Sequence, residues 1–252
     1  MIKIKRFINV VLCFSNWYIF LFDYFGLIHQ KEILYKLRGG VKFIARPFTH
    51  DKFVISEVWT DHVYDPAGFE IKSTDTVVDV GAYIGDFTIF AARKARQGRV
   101  LAIEPFPDNY NLLQKNIRIN NLRNVIAINK ALSDENGTEK IYIAKINSGG
   151  HSTVKEYISG DSLEVRSVTL SRIITDYKVK KIDFLKMDCE GAEYKILFGT
   201  PKSILNKVDK IVMEYHTVGK DKNVEYLTKF LCRSGFEVKL SADNSPILYA
   251  YR

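Results

Sequence analysis

The sequence predicts an α/β fold, a mostly parallel sheet with helices on both faces, and three observations carry the prediction. Residues 77–88 read VVDVGAYIGDFT: an apolar run ends at Asp79, turns through Gly81 and Gly85, and enters an amphipathic segment. Residues 99–103 (RVLAI) form a second short apolar run that stops at Glu104-Pro105. Beyond them, apolar runs and amphipathic segments alternate, the pattern of βα units.

Taken in order, a helical region runs to about residue 37, and Gly39-Gly40 turns the chain. Residues 41–46 (VKFIAR) alternate as a strand, residues 53–60 suit a short helix, and Pro66-Ala67-Gly68 is a turn. We expect residues 1–68 to form an N-terminal helical and strand extension and residues 69–252 the main domain. That domain begins with a strand at 76–80, a helix at 85–96, a strand at 99–103, a helix at 107–120 and a strand at 125–129. A β-rich insertion follows at 140–144 and 163–169. Alternation resumes with a helix at 171–177, a strand at 182–187, a helix at 192–198, a strand at 210–214 and a helix at 223–234. Runs at 236–240 and 247–251 close as a hairpin, which puts one antiparallel strand into the sheet.

A buried strand that turns through glycines into a helix N-terminus is a way to hold a nucleotide-like cofactor. The dinucleotide fingerprint G-x-G-x-x-G fails here, because its second glycine would fall at Tyr83. Asp79 at the strand tip suits an ammonium group, which favours S-adenosylmethionine over a bare pyrophosphate. Glu104, one βα unit later, is placed to accept both ribose hydroxyls, and Pro105 ends its strand.

The chain has 252 residues and a formal charge of +8, but its Lys and Arg are scattered, so a general basic surface is expected and nucleic acid is not. Cys13, Cys189 and Cys232 are odd in number and form no C-x-x-C pair, which fits a reducing, cytoplasmic compartment. Residues 7–28 are apolar and aromatic behind Lys3, Lys5 and Arg6. Asn9, Asn16 and Asp23 interrupt them, and an ionised Asp costs roughly 2.5–3.5 kcal/mol in a bilayer. We expect a packed helical extension, with peripheral membrane contact as the variant.

In open α/β sheets ligands bind beyond the carboxyl ends of the strands. The later strand ends are Asn129-Lys130-Ala131-Leu132-Ser133, then Asp188-Cys189-Glu190-Gly191-Ala192-Glu193, then Glu214-Tyr215-His216. Asp188 and Glu190 suit one crevice or a helix cap, and Glu193 suits the macrodipole of the next helix. His216 is the natural general base, with Glu214 two residues back to orient it or bind a substrate hydroxyl; a structural histidine is the alternative. Asp188, Glu190 and His216 also suit a divalent cation such as Mg²⁺, which is not expected. Residues 147–152 (NSGGHS) suit a mobile lid or a plain surface loop.

These motifs together resemble the FkbM-type family of S-adenosylmethionine-dependent methyltransferases. The matching stretches are DVGAYIGDFT at 79–88, IEPFPDNYNLLQKNI at 103–117, NNLRNV at 120–125, NKALSD at 129–134, IDFLKMDCEGAEYKIL at 182–197 and MEYH at 213–216. WYIFLFDYFGL at 17–27 also resembles a segment that often precedes such a domain. Cys189 stands where the pattern more often has an aliphatic residue. The resemblance implies a seven-stranded class I methyltransferase (Rossmann-like) sheet and methylation of a hydroxyl on a small metabolite, glycan or lipid-linked sugar. At the matching positions it implies that Asp79, Gly81, Ala82, Gly85, Glu104, Asn109, Ala131, Leu132 and Asp188 bind cofactor. Asp188, Glu190, Glu214 and His216 would be catalytic, with no metal ligand. The alternatives are a nucleic-acid methyltransferase, which the Asp-Cys-Glu-Gly turn disfavours, and a non-catalytic membrane-associated protein of the same fold.

Overall fold

A computed structural model of the chain describes residues 2–143, 152, 161–218, 223–242 and 245–252, with side chains from residue 8 onward. The chain opens with helices α1 (Ile2–Cys13) and α2 (Trp17–Tyr24), then the strands β1 (Ile33–Lys36) and β2 (Lys42–Ala45) and helix α3 (Asp51–Thr60). The helical region therefore stops well short of residue 37. Alternate residues Ile33 and Tyr35 are buried and Leu34 and Lys36 exposed, and this period of two pairs β1 with β2 as an antiparallel hairpin.

The main domain follows the predicted order. It runs β3 (Thr76–Val80), α4 (Asp86–Lys94), β4 (Arg99–Ile103), α5 (Pro107–Ile119), β5 (Val125–Ile128), β6 (Ala131–Ser133), β7 (Gly137–Tyr142) and β8 (Ser162–Thr169). It continues with α6 (Leu170–Asp176), β9 (Ile182–Met187), α7 (Glu193–Gly199), α8 (Lys202–Leu205), β10 (Val208–Glu214), α9 (Val224–Arg233), β11 (Glu237–Leu240) and β12 (Ile247–Tyr251). Caps fix the helix starts. Pro107 opens α5, where a missing N–H costs nothing, and the Asn223 side chain accepts from the amides of Glu225 and Tyr226 at α9.

The sheet order is β11-β12-β10-β9-β3-β4-β5, and β12 is its one antiparallel strand. This is the class I methyltransferase fold. The third strand end, Ala131–Ser133, is itself a short strand that joins β7 and β8 in a separate three-stranded sheet. Alternation along the buried strands sorts the core. Val78, Val80, Leu101, Ile103, Leu185 and Met187 face α6, α7 and α9. Val77, Val100, Phe184 and Val212 face the other way, with Phe87 and Phe90 of α4.

The extension is continuous with this domain. Val10, Phe14, Phe20, Tyr35, Phe43 and Ile55 share a core with Tyr83 and Ile84 of the glycine turn, Ile89 of α4 and Leu112 of α5. Asn116 of α5 bonds both backbone groups of Ile44 and the carbonyl of Ile84. No helix among the described residues is long and apolar enough to cross a membrane.

Candidate active site

A cavity of about 280 Å³ opens at the carboxyl ends of β3, β4, β9 and β10. Residues His50 to Val58 of the α3 region and Val63-Tyr64 roof it, so the extension supplies one wall. Among the described residues its lining carries six acids, Glu57, Asp86, Glu104, Asp188, Glu190 and Glu214, against Lys186 and His50.

Of the residues the sequence nominated, Gly81, Glu104, Asn109, Ala131, Leu132, Asp188, Glu190 and Glu214 line this one cavity. Asp79, Ala82, Gly85 and His216 do not. Ala82 packs behind the turn with Ala102 and Leu113. Gly85, at φ +93°, caps α4 with its open side against Leu113. Asp79 has no exposed surface, and the parallel register sets it opposite Lys186 on the same face of the sheet. Its carboxylate takes the Lys186 ammonium at 3.2 Å through Oδ1 and the Thr88 hydroxyl through Oδ2. Lys186 also donates to the Gly81 carbonyl at 2.8 Å. Burial opposes its charge, but Asp79, Asp188 and Asp86 outweigh it and raise the ammonium's pKa.

Gly81, at φ +74°, has a stricter demand on it than the cofactor's approach. A Cβ there would overlap the carbonyl of Asp188, because the tips of β3 and β9 touch at that point. Gly81→Ala is therefore expected to destabilise the fold by about 1–3 kcal/mol or more, read as a lowered thermal midpoint. A wild-type midpoint would show the turn to have room to spare.

Glu104 is buried and hydrogen-bonded through both oxygens. Its oxygens accept from the amides of Tyr83 (2.8 Å) and Phe106 (2.9 Å), and Asn109 bonds it as well. Burial outweighs these bonds and lifts its pKa to about 7. The network reaches into the extension. Arg46 donates to Asn109 at 2.9 Å and to the Tyr83 hydroxyl at 3.0 Å, and holds Asp51 through two contacts at 3.0 and 3.1 Å. The Tyr83 hydroxyl in turn donates to Asp51. Tyr83 sits at φ +50°, a conformation that costs a non-glycine residue on the order of 1–3 kcal/mol, and this clamp holds it there.

The β9–α7 turn builds the other end. Glu190 (φ +52°) and Gly191 (φ +98°) reverse the chain in two left-handed residues. Glu193 then folds back, so that its Oε1 accepts from the amides of Cys189 (3.0 Å) and Gly191 (3.2 Å). The same oxygen takes Nδ1–H of His216 at 3.1 Å. This leaves Nε2 facing Glu190 Oε2 at 3.3 Å and Glu214 Oε1 at 3.9 Å. Glu193, not Glu214, thus orients the imidazole. Burial alone would lower the His216 pKa, but the bond to Glu193 and the charges of Glu193, Glu190 and Asp188 raise it to about 9. Burial first, and Asp188 second, lift Glu190 and Glu214 to about 7. One ligand atom each from Asp188, Glu190 and His216 lies within 4.8 Å of the others, a spacing that also suits a divalent cation.

Five participants are not among the residues the sequence nominates. Tyr64 donates to Asp188 Oδ2 at 3.2 Å. Asp86, in the first turn of α4, is pushed up to about 7 by burial, against the pull of Lys186. Arg46 and Asp51 pair across a turn with no periodic signature. Lys186 had a signal, a lysine inside the buried run FLKM. Residues 147–151 of the suggested lid lie outside the described residues, whereas Ser152 is buried and donates to the Glu190 carbonyl.

The description "Methyltransferase FkbM domain" matches residues 79–238 of the chain. The chain belongs to the FkbM methyltransferase family. Among its relatives is methyltransferase sdnD of Sordaria araneosa, 31% identical over 193 residues, covering 65% of this chain and 74% of that protein. Another, the 31-O-demethyl-FK506 methyltransferase FkbM of Streptomyces tacrolimicus, is 28% identical over 224 residues, 76% of this chain and 84% of the relative. The crystal structure of a methyltransferase FkbM from Methylobacillus flagellatus superposes with a TM-score of 0.51 at 18% identity, over 82% of this chain and 56% of that one. The chain thus spans little more than half of that solved structure. The family makes the protein a methyltransferase of the class I fold.

Proposed function

We propose that the protein is an S-adenosylmethionine-dependent O-methyltransferase acting on a hydroxyl of a small-molecule, glycan or lipid-linked acceptor. The charge of the cavity carries this reading. Six acids stand against Lys186 and His50, and four of them are held at a pKa of about 7 by burial, so an arriving sulfonium and ammonium draw them into their charged form, whereas a pyrophosphate or a nucleic-acid backbone does not. The name of the Streptomyces relative, a 31-O-demethyl-FK506 methyltransferase, supports oxygen as the methylated atom.

S-adenosylmethionine supplies a methyl group on a sulfonium, and its transfer to a hydroxyl oxygen releases one proton. The chain's own residues do the rest, chiefly alignment and exclusion of water. Glu104 accepts the ribose hydroxyls with the lone pairs that its amide bonds leave free. Ala131 and Leu132 form the apolar wall for the adenine. Asp86 takes the ammonium-binding role that the sequence suggested for Asp79. Tyr64 and Lys186 hold Asp188 near the methyl donor. Glu190 and Glu214 grip the acceptor, and Nε2 of His216 takes the proton. The free chain keeps His216 protonated at neutral pH, and positive charge arriving in the cavity lowers its pKa, so the base forms when the site is filled.

Calorimetry with S-adenosylhomocysteine tests the reading. We expect low-micromolar binding, roughly −8 kcal/mol. Glu104→Gln removes the charge and turns an NH2 toward one of the two amides, so it should weaken binding by about 1.5–3 kcal/mol, with the thermal midpoint lowered and checked to lie above the assay temperature. No binding by the wild type, or unchanged affinity in the variant, would end this assignment.

A further inference from the structure

Twelve large apolar side chains are exposed among the described residues, and nine of them lie between Ile8 and Phe48, so the exposed apolar surface is concentrated on the extension. Ile8 and Leu12 are one helical turn apart on α1. Tyr18, Phe22 and Phe25 recur at i, i+4 and i+7 along α2 and its cap, a single row, with exposures of 48, 47 and 67%. Phe48 continues the patch against Gly26. The inner side of α2 is also apolar, and there Phe20 meets Phe14, Tyr35 and Phe53. A helix that is apolar all round sits between two apolar surroundings, and the described residues supply only one of them.

Charge indicates the other. Residues 2–22 contain Lys3, Lys5 and Arg6 and no acid. Asp23, the first acid, is buried and spoken for by Tyr35 and Lys52. We infer that α1 and α2 dock the protein on an anionic bilayer surface, with the aromatic row at the headgroup boundary and the basic segment supplying attraction to acidic lipid. A second copy of the chain is the competing occupant.

Vesicle flotation of the full chain tests this without cofactor or acceptor, and so stands apart from the methyl-transfer reading. The probes are vesicles of phosphatidylcholine alone and mixed with phosphatidylglycerol. The wild type should float with the mixed vesicles and release as salt is added. The double change Phe22→Ser, Phe25→Ser should weaken partitioning roughly 100-fold. The triple change Lys3→Gln, Lys5→Gln, Arg6→Gln should do so by a similar factor, on the mixed vesicles only. Thermal midpoints check that both variants are folded. Failure of the wild type to float overturns the inference. So does a wild-type dimer by light scattering that the Phe changes make monomeric, which would assign the face to a second copy.

Discussion

His216→Ala is expected to lower turnover by about 10²–10⁴-fold with affinity for S-adenosylhomocysteine nearly intact. The expectation rests on direction. Glu193 is fixed by two backbone amides and takes Nδ1–H, so Nε2 is turned toward Glu190 and Glu214, which line the cavity. The pH profile has a definite sign. A base works when deprotonated, and His216 holds its proton to about pH 9 in the free chain. The acceptor kcat/KM should therefore rise with pH, with an apparent pKa below 9 because a bound sulfonium repels the proton. In His216→Ala that rising limb should disappear. A variant with wild-type turnover, or one that loses cofactor affinity in the same proportion, would remove His216 from the role of base.

Lys186→Met is expected to destabilise the protein by about 3–5 kcal/mol, since taking away one partner of a buried pair leaves an uncompensated charge. Lys186 and Asp79 have side chains 4% and 0% exposed, so water cannot substitute. The ammonium's pKa is raised in the fold. Its stabilisation is therefore complete at neutral pH, below the ordinary lysine value, and is lost only as alkali strips the proton. Denaturant midpoints at neutral pH measure the deficit. A near-wild-type midpoint would show that water or a rearranged partner reaches Asp79.

The strand tips were legible because a buried parallel strand is an apolar run, and the residue that breaks it lies at the rim. Glu104, Asp188, Glu190 and Glu214 were found in this way and line one cavity, and the ligand atoms of His216 lie beside those of Asp188 and Glu190. Asp79 obeys the same rule but is not at the rim, because pairing register, invisible in a single sequence, sets it opposite Lys186. Glu193 reads as a helix-terminus charge, and only the turn at Glu190-Gly191 brings it to the histidine. Arg46 and Asp51 serve Glu104 across the fold, with Arg46 63 positions from Asn109, and no local pattern reports such a partnership. The strand β1 was hidden under an apolar stretch that also suits a helix, and β6 is only three residues long.

The facing of Asp79 and Lys186 also bears on how the chain finds its structure. The neighbouring strands β3 and β9 are far apart in sequence, and both are apolar enough to pair in more than one alignment. A slip of one residue turns every side chain to the opposite face. Lys186 would then enter the layer packed by Val78, Leu185 and Met187, away from Asp79, and an uncompensated buried charge costs several kcal/mol. The native alignment alone sets the two buried charges side by side, so the pair specifies the register of the two central strands.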